Sequence, residues 1–258
     1  MKKVLALLMT AAIAAASLVS CGGKTTDDLA LIAEKGKMTI GYTIYEPMNY
    51  MEDGKLTGFD TEFAEAVCAK LGVQPDFVEI NWDTKFVTLE AGTIDCIWNG
   101  MTISNDVKAN TNCSDAYVKN AQVVVMKEDV IKNYKDAESL KGLTFTAEAG
   151  SAGEQAIKDN GLDGNYKPVD LQTSALLAVL GGQADACVID ITMAKSMTAD
   201  GTDYADLDYS IELTTEEYGI GFRKGSNLTE KVNGIMAELN ADGTLPKLAE
   251  KYGLNLAF

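Results

Sequence analysis

No histidine occurs anywhere in the chain. Its absence removes the usual nucleophilic triads, the usual zinc sites and the commonest general base, so any catalysis would fall to carboxylates, lysine or tyrosine. Basic residues are scarce as well: 22 lysines and arginines stand against 38 acids, a formal net charge of −16. With no basic run to reverse that field, a nucleic-acid partner is excluded. The cysteines follow no zinc or CxxC spacing, and no metal or cofactor is implied. Cys96 and Cys187 fall in apolar, strand-like runs where cysteine serves as a small hydrophobe. Buried thiols are therefore expected at Cys68, Cys96, Cys113 and Cys187, with one disulfide as the alternative.

What is present supports a real core. The chain has 258 residues, 47% of them hydrophobic, between the needs of one large domain and two small ones. At its start Lys2 and Lys3 precede an apolar run over residues 4–19 and then LVSC, ending at Cys21. That run is shorter than the roughly 20 apolar residues of a membrane span. With the small Ser20 directly before a cysteine, residues 1–20 read as a lipoprotein signal peptide, cleaved and lipidated at Cys21. Residues 21–36, opening with GGKTTDD after the cysteine's own position, read as the lipidated cysteine and a flexible polar linker.

Beyond the linker, strand and helix signals alternate. KMTIGY reads as a strand, and in DTEFAEAVCAKLG the residues Phe63, Ala64, Val67, Cys68 and Leu71 share one helical face. DFVEI, a helix in DTKFVTLEAG, and TIDCIW continue the series, which implies a largely parallel sheet with helices on its faces. A second series follows QVVVMK: LTFTAEAG as a strand, helices in GEQAIKDNG and TSALLAVLGG, and ADACVID as a strand. VTLEAGTIDCIWNG and LAVLGGQADACVID echo each other, each with a helix, a Gly-x-x-Asp turn and an apolar strand carrying cysteine. The strands end on Asn99 and Asp190. In open α/β sheets ligands collect beyond the carboxyl ends of the strands, so these two residues are candidates to face one cleft from opposite lobes. The strand YGIGFRKG and two last amphipathic segments must return to the first lobe, with crossings near residues 122–127 and 214–221.

GFDTEFAEAVCAKL resembles the signature of family 3 bacterial extracellular solute-binding proteins, the polar amino acid receptors of ABC importers. YEPMNY, DGKLTGFD, GTIDCIWNGMTIS, NCSDAY, LKGLTFTAEAGSAGE, ADACVID, YGIGFRKG and ADGTLPKLAEKYG agree with the family in order, over essentially the whole chain after the linker. The resemblance implies an α/β, two-lobed periplasmic-binding-protein-like (type II) fold with a two-strand hinge, closing on a small ligand. The first lobe would comprise residues 37–123 and 216–258, the second 124–215. Implied partners are an amino acid or amine ligand and the permease subunits of an ABC importer, with the protein a lipid-anchored, extracytoplasmic monomer.

Carried over by position, Tyr45 and Trp82 match aromatics that sandwich the ligand side chain. Asn99, Gly100 and Thr102 match a polar loop that meets the α-amino and α-carboxylate groups. Ser151 and Ala152 match a Gly-Ser-Thr turn, with alanine for threonine, and Asp190 matches the carboxylate that binds the α-ammonium. Each has a structural alternative: Trp82 packing under the first helix, Tyr45 shaping the turn before Pro47, Asn99 capping a loop, and Thr102 or Asp190 capping the helix that follows. Ser104 suits a cap better than a contact.

One position departs from the family. Val107 stands where the family carries an arginine that clamps the α-carboxylate, and the chain's single arginine is Arg223. The bidentate clamp is therefore missing. Two replacements are open: the helix start at Ser151, whose S-x-x-E box with Glu154 leaves N–H groups suited to an anion, or Lys108 beside Val107. A ligand without an α-carboxylate is the third possibility, in which Glu46, Glu148 and Asp190 would favour a cationic or amine-rich molecule. An enzyme on the same fold, like the cyclohexadienyl dehydratases, would need a carboxylate pair such as Glu148 and Asp190 together with a cation for its substrate. A sensing module is the remaining alternative. The expectation is a binding protein without catalytic residues.

Overall fold

The computed structural model describes residues 27–258. The signal peptide, Cys21 and the start of the linker lie outside the described residues.

Helix α1 (Asp28–Lys35) replaces the second half of the expected linker. It buries Ile32, and the backbone N–H of Leu29 donates to Asn227 at 3.0 Å, which holds the segment on the body of the protein. Strand β1 (Lys37–Tyr42) follows, then a hairpin of β2 (Tyr50–Glu52) and β3 (Lys55–Thr57) that sequence patterning did not signal. Helix α2 (Phe59–Leu71) buries Phe59, Phe63, Ala64, Val67 and Cys68 completely and ends at Gly72 in the left-handed region. Each large side chain so buried contributes about 1.5–3 kcal/mol. Next come β4 (Gln74–Glu79), α3 (Lys85–Glu90), β5 (Cys96–Thr102), α4 (Asn105–Asn110), β6 (Asn112–Cys113) and the long β7 (Val118–Lys127).

The second half holds α5 (Glu128–Ile131), β8 (Phe145–Glu148), α6 (Ala152–Asp159), β9 (Lys167–Val169), α7 (Gln172–Leu180), β10 (Ala186–Asp190) and α8 (Ile191–Met197). The 16-residue β11 (Leu207–Phe222), α9 (Leu228–Ala241) and α10 (Thr244–Tyr252) complete the chain.

The strands run in the order β4-β1-β5-β11-β7-β10-β8-β9, with β6 also against β11. On one side β4, β1 and β5 are parallel, and on the other β10, β8 and β9 are parallel. Between them β7 and β11 form an antiparallel ladder, from Val118 opposite Tyr218 to Lys127 opposite Leu207. This ladder is the two-strand hinge. The first parallel set meets it where Thr102 lies opposite Tyr218, and the second where Asp190 lies opposite Gln122. The chain thus crosses between lobes at residues 118–122 and 214–218, the first crossing falling earlier than the apolar run QVVVMK suggested.

The two Gly-x-x-Asp turns do matching work. Asp95 accepts from the N–H of Thr39 in β1 at 2.9 Å, and Asp185 from the N–H of Thr144 beside β8 at 2.7 Å. Each ties the start of one strand to its parallel neighbour. Arg223 also serves this end of the first lobe, bonding the Ile94 carbonyl at 2.7 Å and pairing with Asp28 at 3.0 Å. All four described cysteines are free thiols; Cys68, Cys96 and Cys187 are buried and Cys113 is half-buried.

Candidate functional site

Since β5 and β10 both end at the crossing strands, their carboxyl ends open on one cleft between the lobes. It is roughly 760 Å³ in volume, walled by Trp82, Lys85 and Val107 from the first lobe and by Glu148, Ser151 and Asp190 from the second. The lobes touch at its mouth. The Lys85 ammonium donates to the Gly150 carbonyl at 2.8 Å, and Gly150 lies so near Asp83 that a Cβ there would stand 2.9 Å from the Asp83 Cα.

Asp190 ends β10 in the N-cap position of α8, yet its side chain makes no cap bond. Instead Oδ1 accepts from Asn120 (2.6 Å), Gln122 (2.8 Å) and Tyr218 (2.7 Å), and Oδ2 accepts from Gln172 (2.7 Å). Asn120 and Gln122 donate also to Glu216, at 2.7 Å each, so two amides stand between two carboxylates. Burial first, and the Glu216 charge second, push the Asp190 carboxyl up to about 7.

Glu148, the last residue of β8, is a second buried carboxylate on the cleft wall. Its Oε1 has no hydrogen-bond partner among the described residues. Burial, and then Asp190, push it up to about 8, with Lys85 opposing.

Trp82 lines the cleft from a single 3-10 turn before α3. Thr102 does so at the end of β5, its hydroxyl donating to Glu216 at 2.8 Å. Ser151 caps α6, accepting from the Glu154 N–H at 3.1 Å, while Glu154 reaches back to the Gly150 N–H at 2.6 Å. The S-x-x-E box therefore does start a helix, and Ala152 is its first residue. Ser104 caps α4 by accepting from the Val107 N–H at 3.1 Å, and Val107 packs with Trp82 and Met101 in a small apolar cluster.

Three residues expected at the cleft are placed differently. Tyr45 does not line the cleft. A bridge to Asn49 turns its loop inward, its hydroxyl bonds Thr192 and Tyr218, and only 1% of the residue is exposed. It acts as a prop behind the site: Gly100 has φ of 55°, and a Cβ there would lie 2.6 Å from the Tyr45 Cε1. Asn99 does border the cleft, but both its amide protons are spent, on the Thr43 carbonyl at 2.8 Å and Asn49 at 2.7 Å. Its side chain fastens β5 to the loop before β2. Gly100 donates its N–H to Asp60 at 2.6 Å, a carboxylate that burial raises to about 7. Glu46 also faces away, accepting from Ser196 at 2.7 Å.

Lys85 is the cleft residue that sequence reasoning passed over. Only 4% of it is exposed, its ammonium bonds the Trp82 and Gly150 carbonyls, and it lies 4.9 Å from the Trp82 ring centre. Burial lowers its pKa. The signal was present: Lys85 lies four residues before Leu89 and shares the buried face of α3.

Two α/β lobes joined by paired strands, with a polar cleft at their facing strand ends, define a type II periplasmic-binding-protein fold. The chain belongs to the bacterial extracellular solute-binding proteins, family 3, whose model matches residues 38–255. It is 30% identical over 258 residues to an arginine-binding extracellular protein of Bacillus subtilis (strain 168), covering 98% of each chain. It is 28% identical over 224 residues to an L-cystine-binding protein of Escherichia coli (strain K12), covering 86% of this chain and 84% of the relative. A crystal structure of a mutant arginine-binding protein from T. maritima superposes with a TM-score of 0.81 at 31% identity, over 87% of this chain and 98% of that one.

Proposed function

We propose that this protein captures a small polar amino acid in the interlobe cleft and delivers it to the permease of an ABC importer, as a monomer tethered outside the membrane by a lipid on Cys21. The carrying observation is Asp190. A carboxylate held by four donors at the end of β10, facing a cleft that only closure completes, is built to receive an ammonium group. The family membership and the amino acids that its relatives are named for support the same reading. Residues 37–123 with 216–258, and residues 124–215, would move as the two bodies. Because Asp190 and the start of α6 belong to one and Trp82, Thr102 and Lys85 to the other, a ligand touching both favours the closed state by its differential affinity.

The test is a thermal-shift screen of purified protein against the twenty standard L-amino acids, each paired with the amine lacking its carboxylate. A ligand at a hundred times its Kd adds about 2.7 kcal/mol. At about 2–4 °C per kcal/mol for a chain of this size, that is a shift of about 5–11 °C. If no amino acid shifts the midpoint, the reading fails.

A second reading has one observation in its favour. Glu148 and Asp190 are two buried carboxylates with raised pKa values, and Lys85 supplies the cation that an enzyme for acidic substrates would require. Incubation with a cyclohexadienyl carboxylic acid, followed by chromatography for aromatic product, separates the two: turnover supports the enzyme, and unchanged substrate supports the receptor.

A further inference from the structure

Three formal charges are buried in the walls of the cleft, and none forms a salt bridge among the described residues, although Lys85 and Glu148 feel each other's field. Lys85 is 4% exposed, Glu148 3% and Asp190 6%. The Lys85 ammonium bonds two carbonyls and pairs with no carboxylate among the described residues, leaving one of its three protons uncommitted. Glu148 lines the cleft with an Oε1 that accepts no hydrogen bond among the described residues. Asp190 is held by neutral donors alone. A buried charge left unpaired is costly, so a ligand that enters such a cleft gains most by supplying what each wall lacks.

Resting on the amino-acid reading above, we propose that the ligand is a basic amino acid, with two cationic groups and one carboxylate. Asp190 takes the α-ammonium, Glu148 takes the side-chain cation, and Lys85 holds the carboxylate in place of the missing arginine. The bond from Lys85 to Gly150 puts the ammonium beside the turn that opens α6, so the carboxylate lies between a lysine and a helix N-terminus. That placement also accounts for Val107, an apolar residue that packs against Trp82 and leaves the carboxylate to Lys85. A neutral amino acid would leave Glu148 buried and alone, and a diamine would leave Lys85 so. Glu216, behind the amides of Asn120 and Gln122, deepens the negative floor. At the rim Asp83, Asp106 and Asp159 are exposed acids, while Lys158 is already paired with Glu154 at 2.6 Å, so the approach favours a cation.

The experiment is isothermal titration calorimetry with two triads: L-arginine, L-citrulline and agmatine, and L-lysine, L-norleucine and cadaverine. In each, the second compound lacks the side-chain charge and the third lacks the carboxylate. The basic amino acid of at least one triad should bind about 30-fold or more tighter than both analogues, the loss expected when a buried charged partner is removed. Glu148→Gln should abolish the preference over the neutral analogue and leave that over the amine. Lys85→Met should do the reverse. Comparing ligands on the wild type keeps the test decisive if a variant folds poorly. If citrulline or norleucine binds as tightly as either basic amino acid, this inference falls and the amino-acid reading stands. If agmatine or cadaverine binds as tightly, the role of Lys85 falls. If neither arginine nor lysine binds, this inference falls as well, and the amino-acid reading fails only if none of the twenty shifts the midpoint in the thermal screen.

Discussion

Replacing Asp190 with asparagine separates the cost of the site from its use. In the ligand-free protein Oδ1 of the new amide still accepts from Asn120, Gln122 and Tyr218, whereas its Nδ2 meets the Gln172 donor that Oδ2 accepted. One hydrogen bond is lost, worth about 0.5–1.5 kcal/mol. Against that, a buried charge facing Glu216 disappears, which offsets a loss of the same order. The midpoint without ligand should therefore move by no more than about 3 °C in either direction. Binding is another matter, because an ammonium loses its charged partner at a cost of about 2–5 kcal/mol, a Kd raised about 30- to 4,000-fold. At a ligand concentration of a hundred times the wild-type Kd, stabilisation drops from about 2.7 kcal/mol to about 0.9 kcal/mol or less. The wild-type shift of about 5–11 °C should shrink to about 4 °C or less. Differential scanning fluorimetry with the amino acid that shifts the wild type most makes the measurement. A variant that keeps the full ligand shift would refute the ammonium role of Asp190, and one that collapses without ligand would show the carboxylate to be structural.

The other expectations concern pH, close approach and closure. Burial raises Glu148 to about 8 and Asp190 and Asp60 to about 7, so between about pH 4.5 and 8 the native protein binds more protons than the unfolded chain. Stability without ligand should fall as pH rises through that window, by urea titration at pH 5.5 and 8.5, and Glu148→Gln should flatten the dependence. For a cationic ligand the sign reverses: affinity should rise from pH 6 to 8.5 with release of protons, seen as a buffer-dependent binding enthalpy. Gly100→Ala puts a Cβ 2.6 Å from Tyr45 at a φ of 55°, and should cost about 2–4 kcal/mol in urea denaturation. Gly150→Ala pushes a Cβ against the Asp83 backbone across the cleft mouth and should reduce affinity and the ligand-induced contraction in small-angle scattering. Unchanged contraction would mean that the lobes do not close through that contact.

Much of the fold was legible because strand and helix periods are local. The apolar face of α2 and the strands β1, β5 and β10 follow from spacing that each segment carries within itself. The pair of Gly-x-x-Asp turns was legible as a repeat, and its purpose, fastening neighbouring strands through Asp95 and Asp185, appeared only when the partners at Thr39 and Thr144 were in place. The β2–β3 hairpin was missed because YME and KLT are too short to show a period, and the first half of β11 was missed although LDYSIEL alternates apolar and polar residues throughout.

By itself the sequence determined the two similar halves, the strand end that carries Asp190 and the helix start at Ser151, whereas β5 runs on past the expected end at Asn99 to Thr102. The first three rest on residue identity and near-neighbour spacing. Tertiary structure alone decided which groups meet. It turned Tyr45 inward, spent the amide of Asn99 on Thr43 and Asn49, and folded Lys85 under Trp82 until its ammonium reached Gly150 from the other lobe. Gly150 lies 65 residues further along the chain, and no period in the sequence encodes a contact made between two lobes.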